Sequence, residues 1–304
     1  MLGRGNMDMV VRTVRLPVPG ETVLGSDFRT GQGGKGANQA IAAARAGADV
    51  ALIGAVGTDA FGAELADTLQ AERIATDRLR VLDGPSGIAV ITVDDDAENT
   101  IVVAGGANDR VTALSAADEE EIGRADLLVM QLELPLQVVL AGAVAARAAG
   151  VSVLLNPSPA RVLPAELPAM LTMVVVNEGE AAVLGAEALA AVPHVVTTLG
   201  SRGARYRGPD GATTAVPAPP VTPVDTTGAG DAFTGALAVA WMDAAPAAAP
   251  SSVWAATTAL EAATLRWACA AGALATQSHG AGRSAPRRHD IARLAGAGPS
   301  RPHI

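Results

Sequence analysis

Short runs of aliphatic residues recur along the chain, each followed by a longer alanine-rich stretch. Val50–Val56, Leu127–Leu132, Val151–Leu155, Met173–Val176 and His194–Leu199 have the length of buried strands. Near-continuous apolar runs of this kind belong to strands covered on both faces. Between them, Ala37–Ala46, Gly62–Glu72, Pro135–Ala149 and Glu178–Leu184 predict helices. Strand–helix alternation predicts an α/β protein built on a mainly parallel sheet with helices on both faces.

Two regions break the rhythm. Met9–Arg29 holds strand-like pieces separated by Pro17, Pro19 and Gly20, and Ser86–Ala104 alternates around Asp94-Asp95-Asp96. Both predict antiparallel strands outside the main sheet, a flap formed by roughly residues 9–30 and 85–105. After Gly228 the chain turns helical, Ala244–Ala256 reads as a loop or loose helix end, and the last dozen residues read as frayed.

Composition narrows the function. The 304 residues carry a net charge of −9, a poor match to nucleic acid or an anionic membrane surface. A phosphorylated ligand would have to be held by a local device. No apolar run reaches the ~18–20 residues of a membrane span. The longest candidate, from Ala236, is cut by Asp243 and Pro246. No basic-then-apolar leader pattern opens the chain. A soluble cytoplasmic protein is expected, and the single cysteine, Cys269, excludes an intramolecular disulfide. Of 22 basic residues only Lys35 is a lysine, and it sits inside Gly33-Gly34-Lys35-Gly36. A compact ammonium there serves where a planar guanidinium would not fit.

The strongest chemical signal is Asp225-Thr226-Thr227-Gly228-Ala229-Gly230-Asp231-Ala232-Phe233. Small residues lead from a strand end into a helix starting near Gly230. Glycines admit a phosphate close to the backbone, and a helix N-terminus offers free N–H groups and partial positive charge. An acid beside such an anion hole repels what the hole attracts. Asp231 therefore makes sense as a base that takes a proton from an attacking hydroxyl. The plain alternative is a first-turn carboxylate that caps the helix. A second run, Gly31-Gln32-Gly33-Gly34-Lys35-Gly36-Ala37-Asn38-Gln39-Ala40, contains the lone lysine.

Together these runs resemble the two signatures of the ribokinase-like carbohydrate kinases, the PfkB family. The Gly-Lys-Gly-Ala-Asn form is similar to the ribokinases within it. The resemblance extends to Gly3-Arg4-Gly5-Asn6-Met7-Asp8, Pro19-Gly20-Glu21-Thr22, Gln131-Leu132-Glu133, Asn156-Pro157-Ser158-Pro159-Ala160, Asn177-Glu178-Gly179-Glu180 and Thr198-Leu199-Gly200-Ser201-Arg202-Gly203. It implies one ribokinase-like domain over residues 1–304, a three-layer α/β/α sandwich with a mainly parallel central sheet and a small β-sheet lid. It implies ATP-dependent phosphorylation of a sugar, ribose at its 5-hydroxyl, with Asp231 as base and the amides of Gly228, Ala229 and Gly230 as anion hole. The sugar falls to Asn6, Asp8, Gly34, Lys35, Asn38, Glu133 and Asp231. ATP falls to Asn177, Glu180, Thr198, Gly200, Ser201, Gly203 and Gly230. Cys269 falls where adenine is expected, although packing is the favoured reading of a cysteine in an alanine-rich helix. Magnesium (Mg2+) would bridge the phosphates largely through water, with Glu180 nearby. A monovalent cation, K+, maps to Asp225, Thr227, Ala275, Ser278, Gly280 and Ser284. Lids of two subunits would pair in a homodimer.

Three features depart from the pattern. Only Met1 and Leu2 stand where an apolar strand should precede the Gly3–Asp8 segment, so a start further upstream is expected. Gly185–Pro193 is short for the helix that relatives carry there, and Ala244–Ala256 is long. Three other readings stay open. The first is a kinase for another sugar or a nucleoside, such as deoxyribose. Only seven aromatic residues are available to wall a base, which disfavours the nucleoside. The second is a degenerate sugar or nucleotide sensor. The third and weakest is a dinucleotide enzyme, because no Gly-x-Gly-x-x-Gly follows a first strand.

Overall fold

The apolar runs become neighbouring strands because a sheet pairs their backbone groups while both faces are buried. The computed structural model describes residues 1–96, 98–244 and 262–296. In chain order the strands are β1 (Asn6–Thr13), β2 (Gly25–Gly33), β3 (Gly54–Gly57), β4 (Leu79–Leu82), β5 (Gly87–Val93), β6 (Asn99–Ala104), β7 (Leu127–Gln131), β8 (Ser152–Asn156), β9 (Met173–Asn177), β10 (His194–Thr198), β11 (Ala204–Arg207) and β12 (Thr213–Val216). The helices are α1 (Lys35–Ala46), α2 (Ala60–Ala71), α3 (Ala116–Gly123), α4 (Leu136–Ala148), α5 (Glu178–Ala190), α6 (Ala229–Asp243), α7 (Ala262–Ala275) and α8 (Arg288–Ala295).

The main sheet runs β12-β11-β10-β9-β8-β7, parallel from β10 to β7, with an antiparallel β11–β12 edge. The parallel pair β3–β4 extends it through Met1–Gly3. Leu2 bridges Met130 on one side and Ile53 on the other, with Leu2 N–H donating to Val129 O at 3.0 Å and Ile53 N–H to Met1 O at 2.8 Å. The strand expected over Val50–Val56 is realised as β3, preceded by single bridges at Ala51 and Ile53. One hydrophobic cluster packs α3, α4 and α5 against one face, with Leu2 fully buried in it. Clusters on the other face draw in α1, α2, α6, α7 and α8.

The two flap segments form a separate four-stranded sheet, β2-β1-β5-β6, over residues 6–33 and 87–104. The antiparallel expectation holds for β1–β2 and β5–β6 but not for the central pair. β1 and β5 run parallel because helices and strands of the main body intervene between them. The short segment after Leu184 continues α5 across a kink at Gly185, whose φ of 81° only glycine adopts cheaply. The expectation for Ala244–Ala256 lies, beyond Ala244, outside the described residues, as does most of that for the last dozen residues.

Helices α1 and α6 cross closely. A Cβ on Gly235 would lie 2.7 Å from both Ala42 Cβ and Gln39 O. Bare glycine against alanine lets the two backbones approach. Helix propensity alone favours Gly235→Ala by about 1 kcal/mol. The contact reverses that sign, and the variant is expected to lose about 1–3 kcal/mol in urea unfolding.

Candidate active site

The parallel strands β7 to β10 end on one edge of the sheet, where ligands of open α/β folds bind. Glu133 follows β7, while Asn156, Asn177 and Thr198 close β8, β9 and β10. The N-termini of α1 and α6 and the start of β1 complete the rim. Gly34, at φ 84°, precedes α1, and a Cβ there would sit 2.7 Å from Arg4 O. Gly228 precedes α6 at φ 79° with no side-chain cap, and a Cβ there would sit 2.6 Å from Ala281 Cα. The first-turn amides of α6 therefore lack a capping side chain. A Cβ on Gly230 would meet none of the described residues within 4 Å.

Asp231 is buried in that first turn, yet it accepts two amide hydrogen bonds. Asn38 Nδ2 donates to Oδ2 and Gln39 Nε2 to Oδ1, each at 2.9 Å. The capping alternative is not what the carboxylate does, since both of these bonds cross to α1 rather than to its own helix amides. Gln32 Nε2 donates to Asn38 Oδ1 at 3.0 Å, and Gln131 Nε2 to Gln39 Oε1 at 2.7 Å. Glu133 Oε2 accepts from Lys35 N–H at 2.8 Å, which ties the β7 end to the start of α1. Asn108 Nδ2 donates to Gly5 O at 2.9 Å and lies 3.3 Å from Asn6 Oδ1. Arg4 pairs with Asp109 at 2.5 Å.

Three acids thus share one edge, and their charges oppose each other. Burial, then Glu133 and Asp231, push Asp8 up to about 7. Burial also raises Glu133, against the pull of the Lys35 amide and ammonium. Such a site is built for a ligand that neutralises or hydrogen-bonds the acids.

The other expected residues fall into two groups. Asn177 and Glu180 form a reciprocal capping box at the start of α5, with both bonds at 2.8 Å. Thr198 stands opposite Asn177 in the β9–β10 register, and Gly200 and Ser201 lie in the exposed turn that follows, closed by Gly203. Asp225 accepts from Thr227 N–H at 2.9 Å and Gly280 N–H at 3.1 Å. Burial raises its pKa, but these bonds and His279 together hold it below the ordinary carboxylate value. Ser284 donates to Ala281 O in the same loop, and Ala275 ends α7 just before it. Ser278 is exposed. Cys269 is buried among the core residues around Trp241 and Leu265, and burial pushes its thiol up to about 12. Sequence reasoning assigned no role to Gln32, Gln39, Asn108, Gln131 or Asn156. Four of them stand inside the quoted motifs, but nothing in those runs shows that their side chains turn inward.

The pfkB family carbohydrate kinase model matches residues 1–288. The ribokinase of Bacillus subtilis is 38% identical over 302 residues, 97% of this chain and 98% of that one. The ribokinase of Schizosaccharomyces pombe is 40% identical over 263 residues, 78% of this chain and 83% of that one. The structure of Arabidopsis thaliana ribokinase complexed with ribose and ATP superposes with a TM-score of 0.84 at 31% identity, covering 97% of each chain. The chain belongs to the pfkB family of carbohydrate kinases.

The raised Asp8 has a stability consequence. Its folded pKa lies above the ordinary 3.8, so the folded state binds more protons between about pH 4 and 7 and stability falls as pH rises through that window. Asp8→Asn is expected to be more stable than the parent by about 1–3 kcal/mol at pH 8 and nearly equal at pH 4. Thermal unfolding at the two pH values reads this directly.

Proposed function

We propose that this chain transfers the γ-phosphoryl group of ATP to the 5-hydroxyl of D-ribose. Asp231 is the base, and the amides of Gly228, Ala229 and Gly230 are the anion hole. The observation that carries the reading is a buried carboxylate on the first turn of a helix with no capping side chain, beside the bare Cα of Gly230. Asp231 takes the hydroxyl proton as the sugar oxygen bonds to the γ-phosphorus and the bridge to the β-phosphate breaks. The products are ribose 5-phosphate and ADP. Little covalent work is asked of the protein, so positioning and charge stabilisation carry the rate.

Ribose hydroxyls both donate and accept, and Asn6, Asp8, Gly34, Lys35, Asn38 and Glu133 supply that mixed set. ATP lies along Asn177, Glu180, Thr198, Gly200, Ser201 and Gly203. The similar Arabidopsis thaliana ribokinase is complexed with ribose and ATP, which supports these two as the ligands. Among the described residues no group of three His, Cys, Asp or Glu side chains could hold a metal ion. Magnesium would be held with the phosphates of ATP, with Glu180 as the side chain to contribute through water, and would offset their charge. Asp225, held below the ordinary carboxylate value between residues 225–227 and 275–284, fits K+, which Thr227, Ala275, Ser278, Gly280 and Ser284 would hold largely through backbone oxygens. Cys269 serves as packing at the adenine side.

The whole chain works as one domain in a cytoplasmic homodimer. Among the described residues no helix is long and apolar enough to cross a membrane. Strand register sets Val11, Phe28, Val90 and Val102 on one face of the lid, and the last three are exposed. A second copy of the lid covers them.

ATP turnover on ribose, deoxyribose and nucleosides tests the reading, because a deoxyribokinase of Salmonella typhi is also 33% identical over 78% of this chain. Ribose is expected to lead, with turnover rising on addition of potassium. Asp231→Asn should lose about 10²–10⁴-fold in kcat. Comparable turnover by that variant would remove Asp231 as base. Light scattering should give the mass of two chains, and Val102→Asp should give one. A monomeric parent would sink the lid pairing.

A further inference from the structure

We infer that Gln39 is a positioning residue for the base, the end of a one-way chain of buried amides that fixes the Asp231 carboxylate. The inference rests on the reading of Asp231 as base. Gln39 is fully buried, with 0% exposure, so it acts through Asp231 rather than on a ligand. Its Nε2 donates to Asp231 Oδ1 at 2.9 Å and to Asn156 Oδ1 at 3.0 Å, while its Oε1 accepts from Gln131 Nε2 at 2.7 Å.

The direction of the chain follows from chemistry. An ionised carboxylate only accepts, so Gln39 must turn its NH2 toward Asp231. That orientation leaves its oxygen toward Gln131, which must then donate. Asn156 is locked independently, because its Nδ2 donates to Val175 O at 2.9 Å and leaves Oδ1 for Gln39. Gln131 Nε2 donates to Gln39 Oε1 and, at 3.3 Å, to Met1 Sδ, while its own Oε1 is buried with no partner among the described residues. An unsatisfied buried acceptor is costly. Its presence marks the donor end as the one the site requires.

The consequence is geometric. With Oδ1 committed to Gln39, only Oδ2 can be freed, when Asn38 turns to the sugar. Asp8 and Glu133 lie close enough to feel the Asp231 carboxylate, so its orientation has to be held by other groups. Lys35 compensates Glu133, through its backbone N–H and its ammonium. A glutamine at the next position along α1 from Asn38 thus separates holding the base from holding the substrate.

The test is a double-mutant cycle on ATP turnover, followed with radiolabelled ATP so that slow variants are measured. Gln39→Leu is expected to lower kcat about 10–100-fold while KM for ribose and ATP move less than about 3-fold. In the Asp231→Asn background the same change is expected to alter kcat less than about 2-fold, because its route of action is already gone. A structural defect would lower turnover by the same factor in both backgrounds, and that result overturns the inference. Parent-like kcat for Gln39→Leu beside a dead Asp231→Asn overturns it too, while leaving the base in place. Turnover retained by Asp231→Asn removes the base and the clamp together. Should Gln39→Leu fail to fold, Gln131→Leu runs the same cycle, with an expected loss of about 3–10-fold confined to the Asp231 background.

Discussion

The close crossing of α1 and α6 is the constraint on which the site depends. Gly235 lies against Ala42 and the Gln39 carbonyl, and no larger residue fits that gap without a backbone shift. One turn before Gly235, Asp231 meets Asn38 and Gln39 from the facing helix. Two segments separated by more than 190 residues thus deliver one carboxylate and its two amide donors. A looser crossing would lengthen both bonds, and the buried charge would have no compensation.

Electrostatics then decide how much stability the site gives up. Asp8, Glu133 and Asp231 are partly desolvated near one another, and Asp8 rises to about 7 as a result. A core selected for stability would not hold three acids there. A ligand with several hydroxyls relieves that cost by donating to them, so binding and stabilisation are linked. The same logic explains the α6 N-terminus, where no side chain caps Gly228 and the amides stay available to an anion.

Between β3 and β7, pairing and burial are concentrated in three residues. Met1–Gly3 bonds to both neighbours, and Leu2 fills a fully buried slot beside Met130 and Gly142. The outer sheet is less economical in surface, with Phe28, Ile101 and Val102 exposed. Apolar strands of that kind are usually covered, which is the physical argument behind the proposed pairing of two lids.

Much was legible in the residues themselves. Unbroken apolar runs predicted β7 to β10 within a residue or two, because buried parallel strands have a composition of their own. The glycines around Asp231 and Lys35 identified both helix N-termini, because only glycine permits those backbone approaches. Local composition could not reveal the parallel β1–β5 pairing, since that depends on where the intervening body returns the chain. Nor could it reveal the inward role of Gln39, Gln131 and Asn156. A polar side chain is read as wet until a partner is known, and these partners lie about 90 to 190 residues away. The sequence by itself determined the buried parallel strands, the two flap segments, the glycine turns and the chemical types at the site, but not the short strands β4, β11 and β12. The tertiary structure alone decided which amides face which carboxylate, because hydrogen-bond direction is a property of neighbours in space.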